Sequence, residues 1–313
     1  MHRRSIIDDK LPSITWQITL AIAILVAAAF NIAGLSVRVD LSANIVAIIS
    51  GYTFLTIYFR FIRQNAAIAR ALISFGQLTT VILMGIMLSY AASAVPLPYR
   101  DAELYAMDRW LGFDRDTYIA FLRRNDGLLN VLTFAYNTMM HQNILVLLVA
   151  MVTRRIDRLQ AYIVAFAIAV TVTAAIASFI PVANAMIYVD KVPAGLSTLP
   201  DGGHSYFPTL EGLRNGTLRI IDFNYLEGLI SFPSFHTVNA FLFVWALWPM
   251  RTLRVVLVPL NLLLIASTPL CGAHYVADII GGAAVAFGAI VATAWLIRMP
   301  LANERLAGLA TAS

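Results

Sequence analysis

Two short polar islands near the C-terminal end of the chain hold the residue types that could do chemistry. The first is Ser231-Phe232-Pro233-Ser234-Phe235-His236-Thr237 and the second is Gly272-Ala273-His274-Tyr275-Val276-Ala277-Asp278. Each places a histidine at the edge of a long apolar run, and the second adds an aspartate four residues later. On a helix beginning near Ala273, positions i and i+4 share one face, so the Asp278 carboxylate can accept a hydrogen bond from one nitrogen of His274. That fixes the tautomer and leaves the other nitrogen as a basic, aimed nucleophile. His236 supplies a second imidazole, suited to protonate a leaving oxygen as a general acid. Nucleophile, orienter and acid form a sufficient kit for phosphoryl transfer through histidine. Ionisable groups at membrane depth cost about 3 kcal/mol and are read as functional by default.

The flanking residues fit the same picture. A helix starting at the second island turns its free N–H groups toward the reacting end, where they favour a phosphate. Gly281, Gly282, Ala283 and Ala284 follow, and small residues let helices approach closely. In the first island, Pro233 suits a first helical turn, while Ser231 and Ser234 can cap the helix or donate to an anion.

The elements that must position these islands are membrane helices. The chain has 313 residues, 60% hydrophobic and only 12% charged, where soluble domains carry about 25% charged residues. The mean hydropathy is +0.77. At roughly 20 apolar residues per span, such a chain holds six to eight helices. The net charge of +5 does not indicate nucleic acid, because the basic residues sit in short clusters between apolar runs. The lone cysteine, Cys271, excludes an internal disulfide and cannot make a zinc site alone.

Eight apolar segments are expected, at about 15–36, 42–60, 71–94, 128–151, 159–182, 233–249, 253–270 and 275–297. Ser50, Gly51, Thr53 and Thr56 dilute the second. The first is too long for a signal-peptide core and reads as a retained anchor. With the N-terminus inside, the cytoplasmic stretches hold 13 cations and four acids. The other face holds nine cations and twelve acids, leaving Asp278 aside. The inside therefore nets +9 and the outside −3, which satisfies the positive-inside rule with both termini cytoplasmic. The fold expected is an all-α polytopic bundle of about eight transmembrane helices around a six-helix catalytic core, in a bacterial inner or plasma membrane. Residues 1–94 form N-terminal transmembrane helices, 95–298 the core, and 299–313 a cytoplasmic tail.

On this topology both islands lie on the outer face, with two longer outer stretches. In residues 95–127, Leu104, Met107 and Leu111 fall at helical spacing, which predicts an amphipathic helix in the interface. Trp110, Phe113 and Tyr118 suit the headgroup level. Asp101, Glu103 and Asp108 are expected on a solvated face rather than at a metal. Residues 183–230 are too long for a tight connection and read as an ordered cap; His204 lies there, solvated or at the substrate. A third polar cluster, Tyr136, Asn137, His141, Gln142 and Asn143, falls inside segment 128–151. His141 is expected to face the bundle, lining a headgroup pocket or bonding between helices.

Ser-Phe-Pro-Ser-Phe-His-Thr and Gly-Ala-His-Tyr-Val-Ala-Asp-Ile-Ile-Gly-Gly resemble the second and third signature motifs of the type 2 phosphatidic acid phosphatase/haloperoxidase superfamily. Their forms look most like its inositol phosphorylceramide synthase branch. The resemblance covers about residues 95–298. It implies His274 as the nucleophile that forms a phosphohistidine, Asp278 as its partner and His236 as the general acid, in a six-helix membrane bundle whose site lies at the non-cytoplasmic surface. The mechanism needs no metal and no cofactor. The partners implied are a phosphorylated lipid and, as acceptor, water or a lipid or polyol hydroxyl. Two departures stand out. The family arginine six residues before the motif histidine is here Thr268, and the first motif, Lys-x6-Arg-Pro, is absent before the first island. A cation must still neutralise the phosphoryl group, and Lys191, Arg214 and Arg219 on the outer stretch are the candidates. Ser234, Thr268, His141 and Tyr136 complete the expected substrate-binding set. Two other classes fit less well. A transporter with a His141/Asp278 relay would need broken helices in matching halves. A vanadate-dependent haloperoxidase shares the histidines but not this composition.

Overall fold

The computed structural model describes residues 2–39, 42–189 and 206–298. Lys191 and His204 lie outside the described residues. The chain folds as a helical bundle. In order the helices are α1 (His2–Ala33), α2 (Ala43–Ile57), α3 (Ala66–Ser93), α4 (Asp101–Trp110), α5 (Arg115–Arg123), α6 (Asp126–Asn137), α7 (Met139–Val152), α8 (Ile156–Phe179), α9 (Ala185–Val189), α10 (Phe207–Asn215), α11 (Phe235–Leu247), α12 (Arg251–Cys271) and α13 (Val276–Arg298). Two three-residue strands, β1 (Ser36–Arg38) and β2 (Ile220–Asp222), pair in parallel.

Among the described residues, six helical stretches are long and apolar enough to cross a membrane, including Ala43–Ile62, which continues from α2 through a π-helical turn. The diluted second segment is therefore a helix of spanning length, held at the edge of the bundle by the Tyr52 hydroxyl on the Leu72 carbonyl (2.9 Å). The segment expected at 128–151 is two helices, α6 and α7, bent by 54°. The break falls at Thr138, whose hydroxyl donates to the Ala135 carbonyl and accepts from Gln142 Nε2. Such side-chain bonds compete with the helical ladder. The segment expected at 233–249 forms only the 13-residue α11, about 20 Å of helix at 1.5 Å per residue.

α8 runs through the middle, with 61% of its apolar window buried against none for the Ala43–Ile62 stretch. Tyr162 and Phe166 of α8 meet Phe243 and Phe235 of α11. A buried polar chain ties α1, α3 and α8: Thr15 Oγ1 donates to Gln160 Oε1 (2.6 Å), and Gln160 Nε2 donates to Ser74 Oγ (2.7 Å) and Gln77 Oε1 (2.8 Å). With no water in the hydrocarbon core, these polar groups must satisfy one another.

The connections sort to two ends. At one end Arg158 of α8 reaches the carbonyls of Trp245 and Ala246, and Pro12, Arg70, Ile156 and Asp157 surround one small cavity. At the other, β1 pairs with β2, Arg100 N donates to the Pro181 carbonyl, and Asp101 and Asp108 of α4 bind residues 183–184 and 275–277. Both polar islands belong to this second end.

α4 corrects one expectation. Its buried face is Asp101, Leu104 and Asp108, while Met107, Leu111 and Trp110 are exposed. The acids point inward because donors in the neighbouring segments need acceptors there; only Glu103, paired with Arg100, stays on the solvated side.

Gln160→Leu removes the hub of the α1–α3–α8 chain and leaves Ser74, Gln77 and Thr15 without it. We expect a loss of about 1–2 kcal/mol, read as an earlier midpoint in detergent-based unfolding.

Candidate active site

The second island lies in the turn between α12 and α13. The His274 Nδ1–H donates to Asp278 Oδ2 at 2.9 Å, the i, i+4 pairing expected. The same oxygen accepts from the Tyr275 N–H (3.0 Å) and from Ser231 Oγ (3.3 Å). The Ser234 N–H donates to the Asp278 carbonyl (3.0 Å). Asp278 is fully buried and therefore joins the two islands. The glycines follow from this closeness. A Cβ on Gly282 would sit 2.4 Å from the Ser234 carbonyl oxygen, and one on Gly272 would sit 2.6 Å from His274 Cδ2. Ala273 between them takes a left-handed φ of +51°, a conformation that costs a non-glycine residue energy and clusters at functional sites.

His236 stands across from this pair. Its ring lies edge-on to His274 at 5.9 Å between centroids and stacks on Tyr136 at 4.3 Å. Both histidines line a cavity of about 420 Å3 together with Tyr136, Ser231, Cys271 and Gly272. The cavity continues between α3, α7, α8 and α11. Thr173 Oγ1 and Asn239 Oδ1, both on its wall and both buried, have no hydrogen-bond partner.

Burial pushes the His274 imidazole down to about 4, against a smaller opposing pull from the Ser231 backbone. At neutral pH the ring is therefore uncharged, with Nδ1–H committed to Asp278 and the Nε2 lone pair free of a proton.

Several expected binding residues stand elsewhere. Ser234 is fully buried and caps α11, its hydroxyl accepting from Thr237 N; Pro233 precedes that cap instead of opening the first turn. Thr268 is buried with its hydroxyl on the Ile265 carbonyl, and its own carbonyl accepts from the Gly272 and His274 N–H groups. Arg214 lies over the Tyr99 ring at 4.0 Å and donates to the carbonyls of Val95 and Leu97. Arg219 donates to the Leu213 carbonyl. Neither arginine borders the cavity, because backbone carbonyls claim both: Val95 and Leu97 in a loop hold Arg214, and Leu213 in the last turn of α10 holds Arg219. His141 is exposed, its Nδ1 against the Asn137 carbonyl. Its neighbours Gln142 and Asn143 face inward instead, bonded to Asn261 and Tyr162. Among the described residues, no Lys or Arg lines the cavity.

The expected anion site at the start of α13 is also taken. Asp108 accepts from the Val276 and Ala277 N–H groups (3.0 and 3.1 Å), and Asp278 from Tyr275. Asp101 accepts from the Ala183 and Asn184 N–H groups and from the Tyr275 hydroxyl. Burial raises both carboxyls while these donors pull them back. Arg115 completes this frame, its guanidinium buried on the Pro269 carbonyl (3.3 Å), where burial lowers it and the nearby Tyr275, Asp116 and Asp108 hold it up. Two acids at i and i+7 around Leu104 were a sequence signal of a common inward face; Arg115 carried none. Among the described residues, no three His, Cys, Asp or Glu side chains converge as a metal site requires.

A membrane-embedded helical bundle with a buried His–Asp pair facing a second histidine defines the class of protein. The particular family follows from comparison: a profile of the PAP2 superfamily matches residues 102–292, so the chain belongs to that superfamily. No curated protein and no solved structure matches it. Membership places the chain among phosphatase-type enzymes with a phosphorylated substrate in a membrane setting.

Two outcomes test the site. Asp108→Ala leaves two N–H groups of α13 unpaired and is expected to cost about 1–2 kcal/mol, measured by unfolding in detergent. The unfolded His274 titrates near 6.5 and the folded one near 4. Between these values the unfolded chain binds more protons, so stability falls as pH drops through that window. The wild-type unfolding midpoint should fall more steeply there than that of His274→Gln; equal slopes would remove the buried neutral imidazole from the account.

Proposed function

We propose that the protein is an integral membrane lipid-phosphate phosphatase or phosphotransferase working through a phosphohistidine. The observation that carries this reading is the His274 Nδ1–Asp278 Oδ2 bond with His236 facing it across the cavity. His274 Nε2 attacks phosphorus, the bond from phosphorus to the leaving oxygen breaks, and that oxygen takes a proton from His236. In the second step an acceptor hydroxyl gives its proton to His236, and its oxygen attacks phosphorus and frees Nε2. Water as acceptor makes the enzyme a phosphatase; an alcohol makes it a transferase. Asp278 holds the tautomer throughout.

Two features favour transfer of a phosphorylated headgroup to a hydroxyl-bearing acceptor. The motif forms look most like the inositol phosphorylceramide synthase branch. Thr173 and Asn239 also offer the cavity two unpartnered polar atoms, which a hydroxyl-rich group would satisfy. The excess of cations at the end opposite the islands supports a cytoplasmic placement of that end and of both termini, with the site on the non-cytoplasmic face of an inner or plasma membrane.

The test is to trap the intermediate. Purified protein given a phosphate-labelled lipid phosphate and quenched in alkali should retain acid-labile label. His274→Gln should retain none and Asp278→Asn should lose about 10²–10⁴-fold in turnover, as should His236→Gln. Near wild-type turnover by His274→Gln would sink the assignment. Adding glycerol or inositol acceptors then separates free phosphate from transferred product.

A further inference from the structure

We infer that α3, which lies outside the matched residues 102–292, forms with α7 a binding groove for a single long hydrocarbon chain of the substrate. A second cavity, about 400 Å3, runs along the α3–α7 seam and shares Ile82, Ile86, Met140 and Asn143 with the cavity of the histidines. These four residues set the two cavities side by side, and the hydrocarbon chain would run from one into the other. Along α3 the two extend from Phe75 to Ser89, about 21 Å at 1.5 Å per residue. That exceeds the roughly 15 Å half-thickness of a hydrocarbon core and suits an extended chain.

The lining identifies the occupant. Phe75 and Met140 are exposed apolar side chains on the seam, so the path opens toward lipid. Asn143, the polar side chain at the junction, is already satisfied: its Oδ1 accepts from the Tyr162 hydroxyl and its Nδ2 donates to the Met139 carbonyl. His141 at the rim is engaged through Nδ1 with the Asn137 carbonyl. A polar ligand would find few partners here, whereas a hydrocarbon loses nothing on leaving the bilayer for an apolar wall. The polar end of the same molecule would then lie at His236 and His274, where the orphaned polar atoms are.

This groove rests on the phosphoryl-transfer reading for its kinetics but not for its binding, and the experiment separates the two. Hexadecyl phosphate with a diazirine at the chain end, in detergent micelles, should label α3 between Phe75 and Leu83 in wild type and at the same positions in His274→Gln. Excess hexadecyl phosphate should compete, and butyl phosphate should not. Thr79→Trp and Leu83→Trp, at an exposed and a half-buried position that line only the groove, should lower the competed labelling. They should also reduce the ratio of kcat/KM for hexadecyl over butyl phosphate by about tenfold. Labelling that is scattered and uncompeted, or a ratio unchanged in both variants, overturns the groove. Competed labelling of α3 with no turnover of any alkyl phosphate keeps the groove and overturns the phosphoryl-transfer reading.

Discussion

A carboxylate taken out of water must be answered by donors, and Asp278 is answered by three on a single oxygen. The His274 imidazole, the Tyr275 amide and the Ser231 hydroxyl converge on Oδ2, while the Ser234 amide holds the backbone carbonyl of the same residue. Every one of these donors belongs to one of the two polar islands, so one buried residue fixes how α11 and α13 meet. The ring orientation of His274 and the closeness that only glycine permits at 272 and 282 follow from satisfying Oδ2, while Oδ1 is buried with no hydrogen-bond partner among the described residues.

Around this centre lies a frame whose task is structural. Asp108 and Asp101 take the amides that begin α13 and the 181–184 turn, and Arg115 takes the Pro269 carbonyl. The frame stiffens the turn that carries His274 but uses up the helix N-terminus that would otherwise be open to an anion. The proposed reaction would rely on a neutral, pre-oriented imidazole in a low-dielectric cavity, where each remaining polar contact with a phosphoryl group is strong.

The cavity is not made by the family region alone. Ile82, Gly85, Ile86 and Ser89 of α3 line it beside α7, α8 and α11, and the Thr15–Gln160–Ser74–Gln77 chain locks α3 onto α8. α3 is therefore part of the cavity wall, which accounts for burying four polar side chains to fix its position.

The sequence by itself determined the membrane helices, the sorting of loop charge and the His274–Asp278 pairing, because these depend on composition and on spacing within one helix, where i and i+4 always meet. It also marked Tyr136 and His236, though not that they stack. Only the tertiary structure decided which polar groups spend themselves on the protein: that Ser234 and Thr268 cap and brace, that Arg214 and Arg219 bind backbone carbonyls, that Asp101 and Asp108 turn inward, and that Gln142 and Asn143 rather than His141 face the bundle. The physical reason is that a buried donor or acceptor must find a partner, and the choice between a near one, such as Ile265 for Thr268, and a distant one, such as Val276 for Asp108, depends on how the helices pack, which no local pattern encodes.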